Sequence, residues 1–115
     1  MDLRECIVIM RINENTLISN ESMGADITSR AQALPHIFGY CVQAVWTGSP
    51  VGTMTLEASN DGVIWSTVDG STEAISGAGD GIYHVTDVFY AYVRLKYTRT
   101  SGTGTLNVSI NLKGV

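Results

Sequence analysis

Ala91-Tyr92-Val93-Arg94-Leu95-Lys96-Tyr97-Thr98 is followed, a few residues on, by Thr105-Leu106-Asn107-Val108-Ser109-Ile110-Asn111-Leu112. In the first stretch Ala91, Val93, Leu95 and Tyr97 fall on one side, and Tyr92, Arg94, Lys96 and Thr98 on the other. In the second, Leu106, Val108, Ile110 and Leu112 alternate with Thr105, Asn107, Ser109 and Asn111. A period of two is the mark of a strand with one buried face. Residues 99–104, with Ser101, Gly102 and Gly104, read as a turn, so the pair predicts a β-hairpin. The buried set is expected to include Val93, Leu95, Leu106, Val108 and Ile110. Arg94, Lys96, Asn107 and Ser109 are expected in solvent.

The same rhythm continues towards the N-terminus. Met54, Leu56 and Ala58 alternate with Thr53, Thr55 and Glu57. Asn60-Asp61-Gly62 then supplies a turn, because Asp-Gly suits positions needing positive φ. Residues 63–68, containing Trp65, follow as a further predicted strand. Residues 40–46 form a nearly continuous apolar run, which suits a central strand covered on both faces. Thr47-Gly48-Ser49-Pro50 ends it. Residues 6–12 read as a strand, and residues 16–18 and 25–28 as short ones. Residues 29–34 are the only helix-like stretch, limited to one turn by Pro35. Residues 71–81, rich in glycine and serine, read as the longest surface loop. About eight short strands with turns every ten or so residues predict an all-β fold. Its class is an antiparallel β-sandwich, jelly-roll-like, in one domain over residues 1–115. Residues 1–30 are expected to serve as an assembly or edge-strand segment.

Composition supports one folded unit. The chain has 115 residues, 44% hydrophobic and 16% charged. A chain of this length should bury roughly two-thirds of its unfolded surface without staples. Its net charge of −4 argues against a general nucleic-acid binder and against attachment to anionic membranes. Cys6 and Cys41 sit in apolar runs and are expected as reduced core thiols. The apolar stretch after Asp2, Arg4 and Glu5 is too short for a signal sequence or a membrane span. Synthesis and folding in a cytoplasm are therefore expected. The two Asn-x-Ser sequons, at Asn20 and Asn107, are read as chance.

A search for catalytic chemistry comes back empty. No Gly-x-Ser-x-Gly elbow is present; Gly48-Ser49-Pro50 fails the pattern. His36 and His84, the latter near Asp87, are single histidines without a triad's partners. The two histidines and two cysteines lack zinc-ligand spacing. Asp61, Asp69, Asp80 and Asp87 do not follow a calcium-loop pattern, and read as turn chemistry. Gly77-Ala78-Gly79-Asp80-Gly81 is glycine-rich, but a phosphate loop needs a helix after it and a β pattern follows. No catalytic residue, metal site or cofactor is expected.

Two groups of side chains remain as binding candidates. Arg94, Lys96 and Arg99 lie near Tyr90, Tyr92 and Tyr97. Such a face suits a protein interface, where tyrosine and arginine are favoured anchors, or an ordinary solvated sheet; single-stranded nucleic acid is the weaker reading. Trp46, Trp65, Tyr83 and Tyr92 could supply stacking groups for a sugar, although tryptophan in alternating strands usually belongs to core or interface.

From Gly39 onward specific wording accumulates. Gly39-Tyr40-Cys41-Val42-Gln43-Ala44-Val45-Trp46-Thr47-Gly48 leads to Gly52-Thr53-Met54-Thr55-Leu56 and then Ala58-Ser59-Asn60-Asp61-Gly62 with Trp65. Tyr92-Val93-Arg94-Leu95, Tyr97-Thr98 and Ser101-Gly102-Thr103-Gly104-Thr105-Leu106 follow. This resembles small β-sandwich virion proteins of tailed bacteriophages, of the head-decoration, neck or tail accessory type. It covers about the last two-thirds of the chain. Ser-Asn-Asp-Gly with a nearby tryptophan is also similar to discoidin-like carbohydrate-binding sandwiches. The phage resemblance implies a non-enzymatic virion protein that attaches to or stabilises head or tail by protein–protein contacts. The other implies a module recognising a host-surface glycan.

An assembly expectation comes from the N-terminus. Residues 6–12 are apolar at six of seven positions, so both faces of a strand there want cover. An apolar edge strand invites pairing with another chain. A homo-oligomer is expected, a trimer first, with pentamer or hexamer as alternatives. Other virion proteins are the further partners.

Overall fold

In the computed structural model, residues 12–114 are described, and all their regular structure is β. The expected strand over residues 6–12 lies outside the described residues except at Ile12. The strands are β1 Ile12–Ser22, β2 Ile27–Thr28, β3 Gln32–Ala33, β4 Ile37–Gly48, β5 Val51–Ser59, β6 Ser66–Thr67, β7 Glu73–Ser76, β8 Gly79–Thr86, β9 Tyr92–Ser101 and β10 Gly104–Gly114. Two antiparallel sheets form a sandwich. The first runs β1-β10-β4-β8; the second runs β2-β9-β5-β6, with β3 also on β9 and β7 also on β5.

The alternation in β9 and β10 is realised. Val93, Leu95, Tyr97, Leu106, Val108, Ile110 and Leu112 all face the core. Asn107 is exposed, whereas Arg94, Lys96 and Ser109 are half-buried by neighbouring strands. The expected hairpin does not form. β9 pairs with β5 and β10 with β4 and β1, so the turn between them carries the chain from one sheet to the other. Alternation fixes which side chains are buried but not which strand lies alongside.

That crossing packs against a second one. Gly48-Ser49-Pro50 takes the chain from β4 to β5, and Ser49 N donates to Thr103 O at 2.9 Å. Thr47 O lies 2.0 Å from where a Cβ on Gly104 would stand; Ser49 O lies equally close to one on Gly102. Glycine is required here because two backbones touch.

β4 is central in its sheet, as expected, but only one of its faces is covered. Tyr40, Val42, Ala44 and Trp46 are buried, while Gln43 and Val45 face solvent. Cys41 lies on that outer face, half-buried and free, rather than in the core. Residues 63–68 contribute only β6. The amides of Val63 and Ile64 donate to Asp61 Oδ1 at 2.8 and 2.9 Å, so this side chain removes them from any ladder. The expected loop over residues 71–81 holds β7, anchored by buried Ile75, and the start of β8. Gly79 and Gly81 sit there because the Trp46 ring lies against them; a Cβ on Gly79 would stand 3.3 Å from it.

Residues 29–34 are extended, not helical. Ser29 N donates to Leu95 O and Ser29 Oγ accepts from Leu95 N, which ties the segment to β9. Residues 16–18 belong to the longer β1, which follows β10 through two register shifts. Arg30 Nε donates to Thr16 O at 3.1 Å and laces β1 to the second sheet's side. The core is one cluster in which Tyr97, Met23, Met54, Leu56, Leu106 and Ile110 are wholly enclosed. Tyr97 satisfies its hydroxyl by donating to Val51 O.

Candidate interaction surfaces

The sandwich places the six candidate side chains in two separate groups. Trp46 is a core residue of the first sheet; its Nε1 donates to Gly77 O at 2.8 Å. Tyr83 lies inward on neighbouring β8 and donates to Met54 O. Burial, and then the negative charge of Glu73, push its phenol up to about 12. Trp65, Tyr92, Arg94 and Lys96 belong to the outer side of the second sheet. The four aromatics Trp46, Trp65, Tyr83 and Tyr92 therefore share no platform.

On the outer side, register decides who meets whom. Glu57 stands opposite Arg94, and Thr55 opposite Lys96. Arg94 Nε donates to Glu57 Oε1 at 2.8 Å. The guanidinium also lies 4.1 Å from the centroid of the Trp65 ring. A cation over an indole is attracted by the ring's negative face, by about 0.5–1 kcal/mol at an exposed site. One face of Trp65 is thus occupied by the protein's own arginine. Tyr92 packs beneath Gly62, whose φ of 78° is of the kind the Asp-Gly turn needs.

A triad-like row also appears on the first sheet. Asn111, Cys41 and His84 stand opposite one another on β10, β4 and β8. They line a shallow cleft of about 250 Å³. Among the described residues no hydrogen bond joins the three. Burial raises the Cys41 thiol, the reverse of what a nucleophile requires. Among the described residues no group of three or more His, Cys, Asp or Glu could hold a metal ion.

The least expected surface is one end of the sandwich, where β5 stops, β9 begins and β4 begins. Asp61 Oδ1 accepts from Val63 N, Ile64 N and the Ser59 hydroxyl, and Ser59 Oγ in turn accepts from Gly62 N at 2.8 Å. These amides, first that of Ile64, hold the Asp61 carboxyl below its usual range. The built loop presents Val63 and Ile64 to solvent at 79% and 72% exposure. The neighbouring β8–β9 loop is tied in by Ala91 N donating to Ser59 O and Val88 N to Phe38 O. It carries Phe89, 92% exposed. Beside these lies an open cleft of about 550 Å³ with Ala58, Ile64, Val68 and Tyr90 as apolar walls and Asp61 and Asp69 at its border. Tyr90 is braced by a 2.6 Å hydroxyl contact with Tyr40. Sequence reading missed this end because Val63 and Ile64 look like ordinary strand residues. The available signal was Asp61 two and three positions before them.

Neither a protein-family model nor a curated sequence matches the chain. Solved structures do. The PBSX exported protein XepA is similar at a TM-score of 0.68 and 15% identity, over 90% of this chain and 37% of that one. The SPBc2 prophage-derived protein YomS is similar at 0.61 and 9%, over 90% of this chain and 95% of that one. A chain of the Gt strain of infectious bursal disease virus gives 0.57 and 13%, over 90% and 31%. The chain thus spans about a third of XepA and of the viral protein, and nearly all of YomS. At these identities the likeness establishes a shared β-sandwich fold.

Proposed function

We propose that the chain is a non-enzymatic structural or accessory component of a bacteriophage virion, attached to head or tail through protein–protein contacts. One observation carries the reading. Three large apolar side chains, Val63, Ile64 and Phe89, are held in solvent by loops with specific internal hydrogen bonds. Exposed apolar groups clustered on one end of a small protein mark an interaction site. The ordering cost of the Asp61 loop is already met before a partner arrives, which favours binding. The fold neighbours support the phage context: one is a prophage-derived protein, and another comes from a virus structure. Self-association, with a trimer favoured, belongs to the same proposal, as does a place in the virion after synthesis in the host cytoplasm. Quantitative mass spectrometry of purified particles tests it. The protein is expected at a fixed copy number per particle; its absence from mature virions sinks the reading.

A further inference from the structure

We propose that the free edge of β8 pairs antiparallel with the β8 edge of a second copy of this chain, about a two-fold axis at Ile82. This contact lies on a different surface from the apolar end and does not rest on the reading given to that end.

The first argument is that, among the described residues, β8 is the one long edge left unprotected. A free strand edge templates pairing with another chain, and folded proteins blunt such edges with bulges, very short strands, lysine or proline. In the second sheet the outer strands are short: β2, β3 and β6 have two residues each and β7 has four. In the first sheet the other edge is β1. It is interrupted by two register shifts, and its Thr16 O already accepts from Arg30 Nε. β8 has none of these devices. It pairs with β4 at eight successive positions, from Thr86 opposite Gly39 to Gly79 opposite Trp46, without a shift. Residues 79–86 contain neither lysine nor proline.

The second argument is that this edge complements itself. Asp80, Ile82 and His84 are alternate residues of β8 and all are exposed, Ile82 at 64%. Residues directly opposite in an antiparallel pair share a face. A two-fold axis perpendicular to the joined sheets must therefore pass beside one residue of β8, which meets its own copy. With the axis at Ile82, the two Ile82 side chains meet, and Asp80 of each copy stands opposite His84 of the other. The carboxylate accepts, and an imidazole has an N–H to donate in either protonation state. Moving the axis to Gly81 sets Asp80 against Ile82. Moving it to Tyr83 sets Ile82 against His84 and Asp80 against Thr86. On the inner face the register at Ile82 sets Tyr83 against Gly81 and Val85 against Gly79, so no two bulky side chains compete for one place. Space is open on that side, where a cleft of about 240 Å³ between β7 and β8 is lined by Glu73, Ala74, Gly81 and Tyr83.

This match of an apolar centre and two flanking polar pairs selects a second copy over an unrelated strand. The four-stranded first sheet continues across the axis into that of the second copy. The contact uses residues 79–85 and none of Val63, Ile64 and Phe89.

Light scattering after size exclusion decides, in a parent protein whose apolar end is blocked by Ile64→Lys and Asp69→Lys, both at exposed positions. Association through β8 is then what is measured. Circular dichroism melts confirm that each variant is folded. The parent is expected as a dimer at high micromolar concentration, and addition of Ile82→Lys is expected to give a monomer. His84→Asp sets two carboxylates against each other at both flanking pairs and should weaken the dimer about tenfold. Asp80→Lys removes both carboxylates and should weaken it too. Mixed one to one, the His84→Asp and Asp80→Lys chains oppose lysine to aspartate at one pair and keep the native Asp80–His84 pair at the other. Native mass spectrometry should show the heterodimer, bound more tightly than either homodimer. A monomeric parent overturns the proposal, as does a dimer that survives Ile82→Lys or a mixture that associates no better than its parts. Because virion incorporation is measured on particles, this reading and the proposed function can fail separately.

Discussion

Replacing Gly104 by alanine tests the corner at which β9 hands over to β10. A methyl group there would lie 2.0 Å from Thr47 O, against about 3.4 Å for ordinary contact, so the two backbones must part by about 1.4 Å. The atom in the way is a carbonyl within the β10–β4 ladder, and no rotamer change relieves it. Parting the strands endangers the bonds from Met23 N to Gly104 O and from Ser49 N to Thr103 O, each with a net value of about 1 kcal/mol. Overpacking adds about 1–3 kcal/mol. A total near 3 kcal/mol is expected, which for a chain of this size lowers Tm by roughly 12 °C. Gly70→Ala is the control. Gly70 has a φ of 74° with nothing within 4 Å of a built Cβ, so it carries only left-handed strain of about 1 kcal/mol. Calorimetry on the two variants gives the answer. If Gly104→Ala melts no lower than Gly70→Ala, the glycines are merely flexible turn residues, and the close approach of the two crossings is wrong.

Leu95→Asp or Val108→Asp should abolish folding, since each carboxylate would be enclosed without a partner at several kcal/mol; a cooperative melt of the soluble variant would show the faces reversed. Asp61→Ala should release the Val63 and Ile64 amides to fast hydrogen exchange while leaving the global Tm within about 2 °C, because the carboxylate is on the surface. In the wild type the same protection is expected above the ordinary carboxyl pKa, about 3.8, and should be lost as pH falls through the lowered folded value. Tyr83, raised from 10.0 to about 12, holds its proton longer folded than unfolded. Its contribution is fully present below pH 10 and fades as pH rises towards 12, so Tyr83→Phe should flatten part of the alkaline loss of stability measured by urea titration at pH 9 to 12.

How much of this was legible depends on the range of the interaction concerned. The inward faces of β5, β9 and β10 could be read directly, because period-two alternation is a local property that burial of one face enforces. Pairing could not be read: Gly102 and Gly104 signal a tight turn whether the chain folds back within a sheet or crosses to the other. Residues 29–34 looked helical by local composition, and a pair of bonds from Ser29 to Leu95, 66 positions away, drew them straight. Of the candidate side chains, Arg94 and Lys96 fell on one face as alternation demands. Trp46 and Trp65 were separated because one faces the core from β4 and the other, outside any strand, packs on Arg94 on the outer side of the second sheet, which no spacing encodes. The exposed end of the molecule was hidden by a side chain acting on its own backbone, Asp61 taking the amides that residues 63 and 64 would have given to a strand.

The two ends of the sandwich are unlike, and the difference bears on how copies can join. At the Gly48 and Gly104 end, backbone meets backbone and the surface residues Thr47, Ser49, Ser101 and Thr103 are polar. At the other end apolar side chains project and a cleft stays open. If copies join through the apolar end alone, as the proposed function implies, a filament built through that end and its opposite is excluded. Contacts confined to that end give either a two-fold pair, in which the same patch serves both copies, or a ring, in which two different parts of that end meet in turn. The trimer expected from sequence requires the ring. The distinction is measurable: a two-fold pair stops at two subunits at any concentration, whereas a ring of three loses its closure when one subunit in three carries Ile64→Lys and Asp69→Lys, two exposed changes at the apolar end. Titrating that variant into wild type and following mass by light scattering should therefore depress the trimer fraction in proportion to the probability that all three apolar ends are intact. A plateau at dimer mass would favour the two-fold pair and remove the trimer.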